Sequence, residues 1–394
     1  MRDVDVAIVG GGPAGTAAAL TLLKYSSLRV ALLERSAYAS FRIGECLSPS
    51  AADLLRYLGA EEALTTTEPR PAEGVAAAWG SPDLRLQDFL FTGRGPGWHV
   101  DRRRFDQTLA NLVCQRGGLL LTQLTVAEIR RSAKGAWRLL IRQGAGKRRI
   151  AIKARFVIDA TGKRAVIARG QSAKFESHDR LIGISGLYHS FNPGAHSGFT
   201  LVEAVPSGWW YTAQLSRSQM LAVFMTDADL ARRYRYRDLD SWNRNLASTL
   251  HTCQRLQGGR LCNSLSLHAA YTGRLRPVVG PGWIAAGDAA VSFDPLASMG
   301  IGYALLSGIE AGRVAHNVLT GSGVLAPAYA ERVSYHFAHY LQLRAAYYRM
   351  EKRWSDQPFW RRRHNTADTS HLPSSSSFER SANSEVFTSA PADK

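Results

Sequence analysis

Cysteine is scarce, with four residues in 394, Cys46, Cys114, Cys253 and Cys262, and no Cys-x-x-C spacing among them. That pattern indicates neither a zinc knuckle nor a disulfide framework, and the thiols read as core residues. Long apolar runs are missing as well. No stretch approaches the roughly 20 residues of a membrane helix, and the first apolar strand begins within five residues of Met1, leaving no room for a signal peptide, so no membrane association is expected and the chain reads as cytoplasmic. His336 and His339 lie at helical spacing without a third ligand, so no metal is expected and both read as structural. Acidic residues are few: 32 Asp and Glu face 49 Lys and Arg, a net charge of +17. The surplus clusters at Arg102-Arg103-Arg104, Lys147-Arg148-Arg149, Arg232-Arg233-Tyr234-Arg235-Tyr236-Arg237 and Arg361-Arg362-Arg363. Such a surface suits an acidic partner, and a solvated basic face accounts for it equally well. Nucleic acid is not expected, because no nucleic-acid module accompanies the interleaved Arg and Tyr.

What is present is ordinary globular composition, 45% hydrophobic and 21% charged, in a chain long enough for two domains. The strand Asp5-Val6-Ala7-Ile8-Val9 runs into Gly10-Gly11-Gly12-Pro13-Ala14-Gly15, a G-x-G-x-x-G turn that predicts a helix over 16–25. Gly10 permits the tight turn, Gly12 the close approach of a pyrophosphate, and Gly15 the packing of helix on strand, with the helix amides aimed at the phosphates. A second strand, Val30-Ala31-Leu32-Leu33, delivers Glu34 where a carboxylate accepts ribose hydroxyls and disfavours a 2′-phosphate. Val157-Ile158-Asp159-Ala160-Thr161-Gly162 and Trp283-Ile284-Ala285-Ala286-Gly287-Asp288 are further strands closed by polar and glycine residues. Asp288 is placed to hold a ribityl hydroxyl, and the helix starting near Gly300 and Ile301, after Pro295, to stabilise negative charge on a reduced ring.

With Val100-Asp101-Arg102-Arg103-Arg104-Phe105-Asp106, these stretches resemble the two-domain flavoprotein superfamily of aromatic hydroxylases, geranylgeranyl reductases and flavin-dependent tryptophan halogenases, over about residues 1 to 363. The resemblance implies an α/β fold: a Rossmann-like, aromatic-hydroxylase-like FAD-binding domain (1–73, 99–172 and 272–325), an interleaved antiparallel-sheet substrate domain (74–98 and 173–271), C-terminal helices (326–363) and a disordered tail (364–394). It implies cofactor contacts from Gly10, Gly12, Pro13, Ala14, Gly15, Glu34, Arg35, Arg42, Gly44, Arg102, Val126, Asp159, Gly162, Gly287, Asp288, Pro295, Gly300 and Ile301. Arg42 belongs to an Arg-x-Gly-Glu loop lying along the flavin, near the pyrophosphate or ring edge. Cys46 beside that loop reads as a small neighbour of a crowded ring, so FAD is expected to be non-covalent.

Elsewhere the pattern predicts a helix around 51–58, strands within 74–98, a helix over 105–114, and a basic hairpin in which Trp137-Arg138-Leu139-Leu140-Ile141 pairs with Ile150-Ala151-Ile152 across Gly144-Ala145-Gly146. From 182 to about 267 the chain reads as alternating strands flooring a substrate cavity, and 303–350 as helical. Trp209-Trp210-Tyr211 is the densest aromatic cluster, either the wall of a pocket for a planar substrate or a packed strand.

The single glycine-rich turn leaves no second nucleotide domain, so reduction is expected from outside, by NAD(P)H or reduced flavin, with O2 as the oxidant. Tryptophan halogenases place a lysine soon after the Gly-Glu loop and a glutamate directly after the Pro-Leu pair. This sequence has no lysine between Lys24 and Lys134, and Ala297 at the second place. The stretches Phe293-Asp294-Pro295-Leu296-Ala297-Ser298-Met299-Gly300-Ile301, Gly208-Trp209-Trp210 and Glu351-Lys352-Arg353-Trp354 are most similar to maturation flavoproteins of quinone-containing amino-acid oxidases and amine dehydrogenases. That resemblance implies a monooxygenase acting on a tryptophan of a precursor oxidase or dehydrogenase polypeptide, toward cysteine tryptophylquinone. Asp294 and His99 are the candidate catalytic acid–base groups. The alternatives are a hydroxylase of a small aromatic, a halogenase or isoprenoid reductase, and a flavin-binding interaction protein without turnover.

Overall fold

In the computed structural model the described residues are 2–65, 67–93, 95–143, 148–189, 198–262 and 264–365. The turn expected at 144–146 and most of the tail beyond 364 lie outside them. The chain divides into two compact units, one of residues 1–70, 98–180 and 270–334, the other of 71–97, 181–269 and 335–394.

The first unit is built on an eight-stranded sheet whose core runs Trp283–Ala285, Arg148–Asp159, Arg2–Val9, Val30–Leu33, Leu119–Leu121, all parallel. Val6 to Val9 and Val30 to Leu33 are buried on both faces, so these strands are continuous apolar runs and do not alternate. Parallel pairing brings their carboxyl ends together, and Gly10, Glu34, Ala160 and Ala286 follow in register at one edge. The helices Pro13–Tyr25 and Gly300–Leu319 cross closely, because a Cβ at Gly308 would lie 2.2 Å from the Ala14 carbonyl oxygen and one at Gly312 2.9 Å from that of Ala18. The strand Arg148–Asp159 is long enough to serve twice: its first half also pairs antiparallel with Trp137–Gln143, which pairs with Leu124–Arg131, giving the expected hairpin in the register Leu139 opposite Ile152.

The second unit holds another eight-stranded sheet, in the order Arg260–Leu261, Leu181–His189, Met220–Asp227, Gly208–Gln214, Phe199–Val205, Gly74–Ala78, Arg85–Asp88, with Ser266–Ala269 also on Leu181–His189. Its pairings are antiparallel except that Gly74–Ala78 joins Phe199–Val205 in parallel. The stretch 182–267 is not strand throughout. Residues 228–255 contain the helices Ala228–Arg233, Leu239–Ala247 and Thr252–Arg255, since Ala231, Tyr236 and Trp242 bury into the core at irregular, non-alternating intervals. The helical stretch after 300 is likewise interrupted: Gly300–Leu319 and Leu325–Met350 are separated at Gly321 and Gly323, both with positive φ. Among the described residues no helix is long and apolar enough to cross a membrane, and none of His, Cys, Asp and Glu group as a metal site.

Candidate functional site

The glycine turn has two kinds of position. A Cβ at Gly10 would lie 2.0 Å from the Ala160 carbonyl oxygen and one at Gly15 1.8 Å from that of Gly10, so both are glycine because backbone fills the space. At Gly12 a Cβ would meet nothing within 4 Å, although its φ of −77° suits any residue. Gly12 is also the N-cap of Pro13–Tyr25 with no side-chain cap, leaving the first amides, those of Ala14 and Gly15, without a capping oxygen. An open space in front of uncapped helix amides fits a phosphate group. Gly300, at the start of the helix Gly300–Leu319, likewise faces open space, as does Gly162 at φ +65°.

Glu34 is buried, and its carboxylate accepts from the Gly11 amide at 2.8 Å, from the Ser36 amide and hydroxyl, and from Arg42 at 3.1 Å. Burial pushes its pKa up, but Ser36, Gly11 and Arg42 outweigh that and hold it below the usual range. Among the described residues one donor, the Gly11 amide, reaches Oε2, so that oxygen can accept a ribose hydroxyl. Tyr38 closes over this corner, donating to the Gly11 carbonyl at 2.9 Å. Arg42 is engaged by carboxylates: it donates to Glu34 and, at 2.9 Å, to fully buried Asp106. Arg102 donates from Nε and Nη2 to Asp106 at 3.0 Å and from Nη1 to the Ile43 and Gly44 carbonyls at 3.2 Å, so it fastens the Arg-x-Gly-Glu loop to its own helix. Arg35 is exposed, and Val126 lies half-buried on the strand Leu124–Arg131, whose Leu124 amide bonds the Glu34 carbonyl.

Asp159 turns inward. Its oxygens accept from the Thr161 amide and hydroxyl and from the Ile167 and Ala168 amides, which shapes the turn carrying Gly162 and occupies all four lone pairs. Asp288 is different: among the described residues it has no hydrogen-bond or ion-pair partner, though it follows Gly287 (φ +61°) at the sheet edge and is half-buried. Burial raises its pKa against the pull of Lys163 and Arg102. An unengaged carboxyl beside two cations fits the hydroxyls of a ribityl chain. Asp294 is 1% exposed and caps the turn Pro295–Ala297 by accepting from the Leu296 amide at 3.0 Å; Pro295 is half-buried and Ile301 buried. His99 is 1% exposed and stands opposite Cys46 in a short antiparallel pair. Cys46 itself lies 3.7 Å from the carboxyl of Glu45, which burial raises in pKa.

In the second unit, Trp209, Trp210 and Tyr211 do not form one wall. Strand alternation sends Trp210 into the core against Trp242 and Phe224, while Trp209 and Tyr211 point to the opposite face. Trp209 is 1% exposed, donates to the Tyr348 hydroxyl and packs edge-on against Trp79, so it is a packing residue of that face. Two site residues escaped sequence reasoning. Asp106 had a visible signal in its place four residues after Arg102, one helical turn. Lys163 had none. Its ammonium donates to the Ser292 hydroxyl and the Tyr271 carbonyl, lies 4.9 Å from the Tyr271 ring, and is lowered in pKa by burial against Asp288, Asp179 and Asp294.

The chain matches the tryptophan halogenase family over residues 5–92 and 85–390. It is 30% identical over 379 residues to LodB of Marinomonas mediterranea, described as an FAD-dependent oxidoreductase, spanning 94% of this chain and 100% of that protein. Among solved structures it resembles the myxobacterial chondrochloren halogenase CndH, with TM-score 0.84 and 21% identity, covering 96% of this chain and 89% of that one. It also resembles QhpG, a peptidyl tryptophan dihydroxylase essential for tryptophylquinone cofactor biogenesis, with TM-score 0.72 and 22% identity over 95% of this chain and 81% of that one. These structural likenesses show a shared Rossmann-type α/β fold. On the match over nearly its whole length, the chain belongs to the tryptophan halogenase family and is an FAD-dependent oxidoreductase.

Proposed function

We propose that this protein is an FAD-dependent monooxygenase that hydroxylates a tryptophan side chain of a partner polypeptide, a precursor amino-acid oxidase or amine dehydrogenase, during tryptophylquinone formation. Gly10, Gly12, Pro13, Ala14 and Gly15 would hold the pyrophosphate, Glu34 the ribose, Asp288 the ribityl chain, and Pro295, Gly300 and Ile301 the ring. When bound and reduced by NAD(P)H or reduced flavin, FAD supplies oxygen activation. One oxygen atom enters the indole, the other leaves as water, and the reductant provides the electron pair. The chain's own residues hold the geometry: Arg102 and Asp106 fix the loop 42–45, and Asp294 fixes the Pro295 turn. Asp294 and His99 remain the proposed proton carriers, both buried in the cofactor unit.

The observation that carries this reading over halogenation is the turn Pro295–Ala297, which presents a methyl group at Ala297 where halogenases of the resembled type carry a glutamate. QhpG, a peptidyl tryptophan dihydroxylase, supports a polypeptide substrate.

Halogenation is the second reading, favoured by the family match and by Lys163, a half-buried amine drawn toward Asp288 and Asp294. The reduced enzyme, oxygen and either free tryptophan or a precursor oxidase, each with and without bromide, separate the two by product mass. Oxygen added to the polypeptide in both salts is expected. Brominated tryptophan lost in Lys163→Met would establish the rival, and efficient hydroxylation of free tryptophan would move the substrate to small aromatics.

A further inference from the structure

The three-stranded meander of the first unit, Leu124–Arg131, Trp137–Gln143 and Arg148–Asp159, has two unlike faces. Trp137, Leu139, Ile141, Ile152 and Ala154 are buried. The opposite face is exposed, and the register sets its side chains in rows. Arg130, Arg138 and Lys153 stand directly opposite one another across the three strands, as do Arg142 and Arg149 across two. Leu140 and Ala151 lie between the rows, beside Glu128.

Like charges opposite one another, with Cβ atoms about 4.5–5.5 Å apart, destabilise a sheet. Here Glu128 is taken up by Arg130. Among the described residues Arg138, Arg142, Arg149 and Lys153 have no ion-pair partner, and Asp3, next to Lys153 in the neighbouring strand, makes none with it. Arg138 and Arg142 are four residues apart, roughly 13 Å along the strand. The two cationic rows therefore flank a strip of Leu140, Ala151 and Glu128, and at low salt they act as one field.

We infer that this face is a docking surface for an acidic segment of a polypeptide partner. The inference rests on the proposed reading that the substrate is a polypeptide, and names the chemistry by which it would be held. An anionic partner supplies the charges the sheet lacks, and steering by such a patch speeds encounter. A nucleic acid is the less fitting polyanion, because the described residues of this face offer no aromatic ring for bases to stack on.

The test is fluorescence anisotropy of full-length holoprotein with fluorescein-labelled poly-L-glutamate, at low and physiological salt. In one variant Arg138, Arg142, Arg149 and Lys153 are all replaced by Gln; in a second they are replaced by Glu. The control replaces the equally exposed Arg232, Arg233 and Arg237 of the other unit by Gln. Binding should weaken at least about tenfold in the Gln variant and further in the Glu variant, and by less than about twofold in the control. Equal losses in control and Gln variant would overturn the site, leaving only net charge. Tighter binding of a labelled oligonucleotide of matched charge, lost in the same variants, would overturn the assigned occupant. Because no turnover is involved, the surface stands if poly-glutamate binding is lost in the variants while no precursor polypeptide is oxygenated, an outcome in which the substrate reading alone fails. Retained poly-glutamate binding with intact oxygenation would sink the surface and spare that reading.

Discussion

Gly12→Ala should separate cofactor binding from folding. Gly12 has ordinary extended backbone, and a Cβ there meets nothing within 4 Å. As an N-cap, alanine is a few tenths to about 1 kcal/mol worse than glycine. Its smaller unfolded-state entropy returns about 0.4–1 kcal/mol. The two nearly cancel, so the apoprotein should melt within about 2 °C of the parent. Bound FAD is another matter, because the added methyl sits where a phosphate oxygen would approach the helix amides. Loss of one charge-assisted hydrogen bond is about 1.5–3 kcal/mol, a roughly 10- to 150-fold rise in Kd. Gly15→Ala should do the opposite. Its Cβ would fall 1.8 Å from the Gly10 oxygen and 3.3 Å from the Ala160 Cβ, so the turn itself must move, at about 1–3 kcal/mol or more without any cofactor. Calorimetry of the two apoproteins, with FAD titrations followed by flavin fluorescence, reads both effects. Parent-like FAD affinity in Gly12→Ala would show that the open space is not the phosphate's, and a parent-like melting temperature in Gly15→Ala would refute the packing argument.

Asp288→Ala should weaken FAD by a similar 10- to 150-fold, with Asp288→Asn retaining more because its amide oxygen still accepts; equal occupancy in all three proteins, measured by absorbance after gel filtration, would remove Asp288 from the ribityl site. The Glu34 network should show in the pH dependence of the holoprotein's stability. A carboxyl held below its ordinary value of 4.5 contributes fully above that pH and loses its contribution as pH falls through the depressed value, so melting temperature should drop on acidification below about pH 4.5 less steeply in Glu34→Gln than in the parent. Acid precipitation should release all flavin to the supernatant, and yellow pellet would reverse the reading of Cys46 as a plain thiol.

The parallel core was legible because its strands are apolar without alternation and each ends in glycine or a carboxylate; the segments at 5–9, 30–33, 157–159 and 283–285 lie side by side as their endings implied. The pairing of 137–141 with 150–152 was legible, because Leu139, Ile141 and Ile152 alternate with charges. The helices within 228–255 were not, since each is short and its apolar residues are too sparse to set a period. Trp209 and Trp210 show another limit. Composition marks an aromatic strand, but only the sheet's packing decides that Trp210 meets Trp242 while Trp209 meets Trp79.

The cofactor residues divide by what their atoms are already doing, which motif spacing cannot reveal. Asp159 and Arg102 sit in motif positions, but Asp159 has four donors on two oxygens and Arg102 has four of its five donors directed at Asp106, Ile43 and Gly44. They place the Gly162 turn and the loop 42–45. Among the described residues no donor reaches Asp288 and a Cβ at Gly12 would meet nothing, so these are positions a ligand could complete. Asp106 ties the first group together. It is fully buried, and Arg42 and Arg102 reach it from two segments of chain. A buried ion cluster of this kind contributes little net stability against apolar side chains of similar volume, yet removing one member leaves an uncompensated charge at about 3–5 kcal/mol. Its use is geometric: Arg42 and Arg102, drawn to one carboxylate, hold the loop 42–45 against the helix Arg102–Gln115.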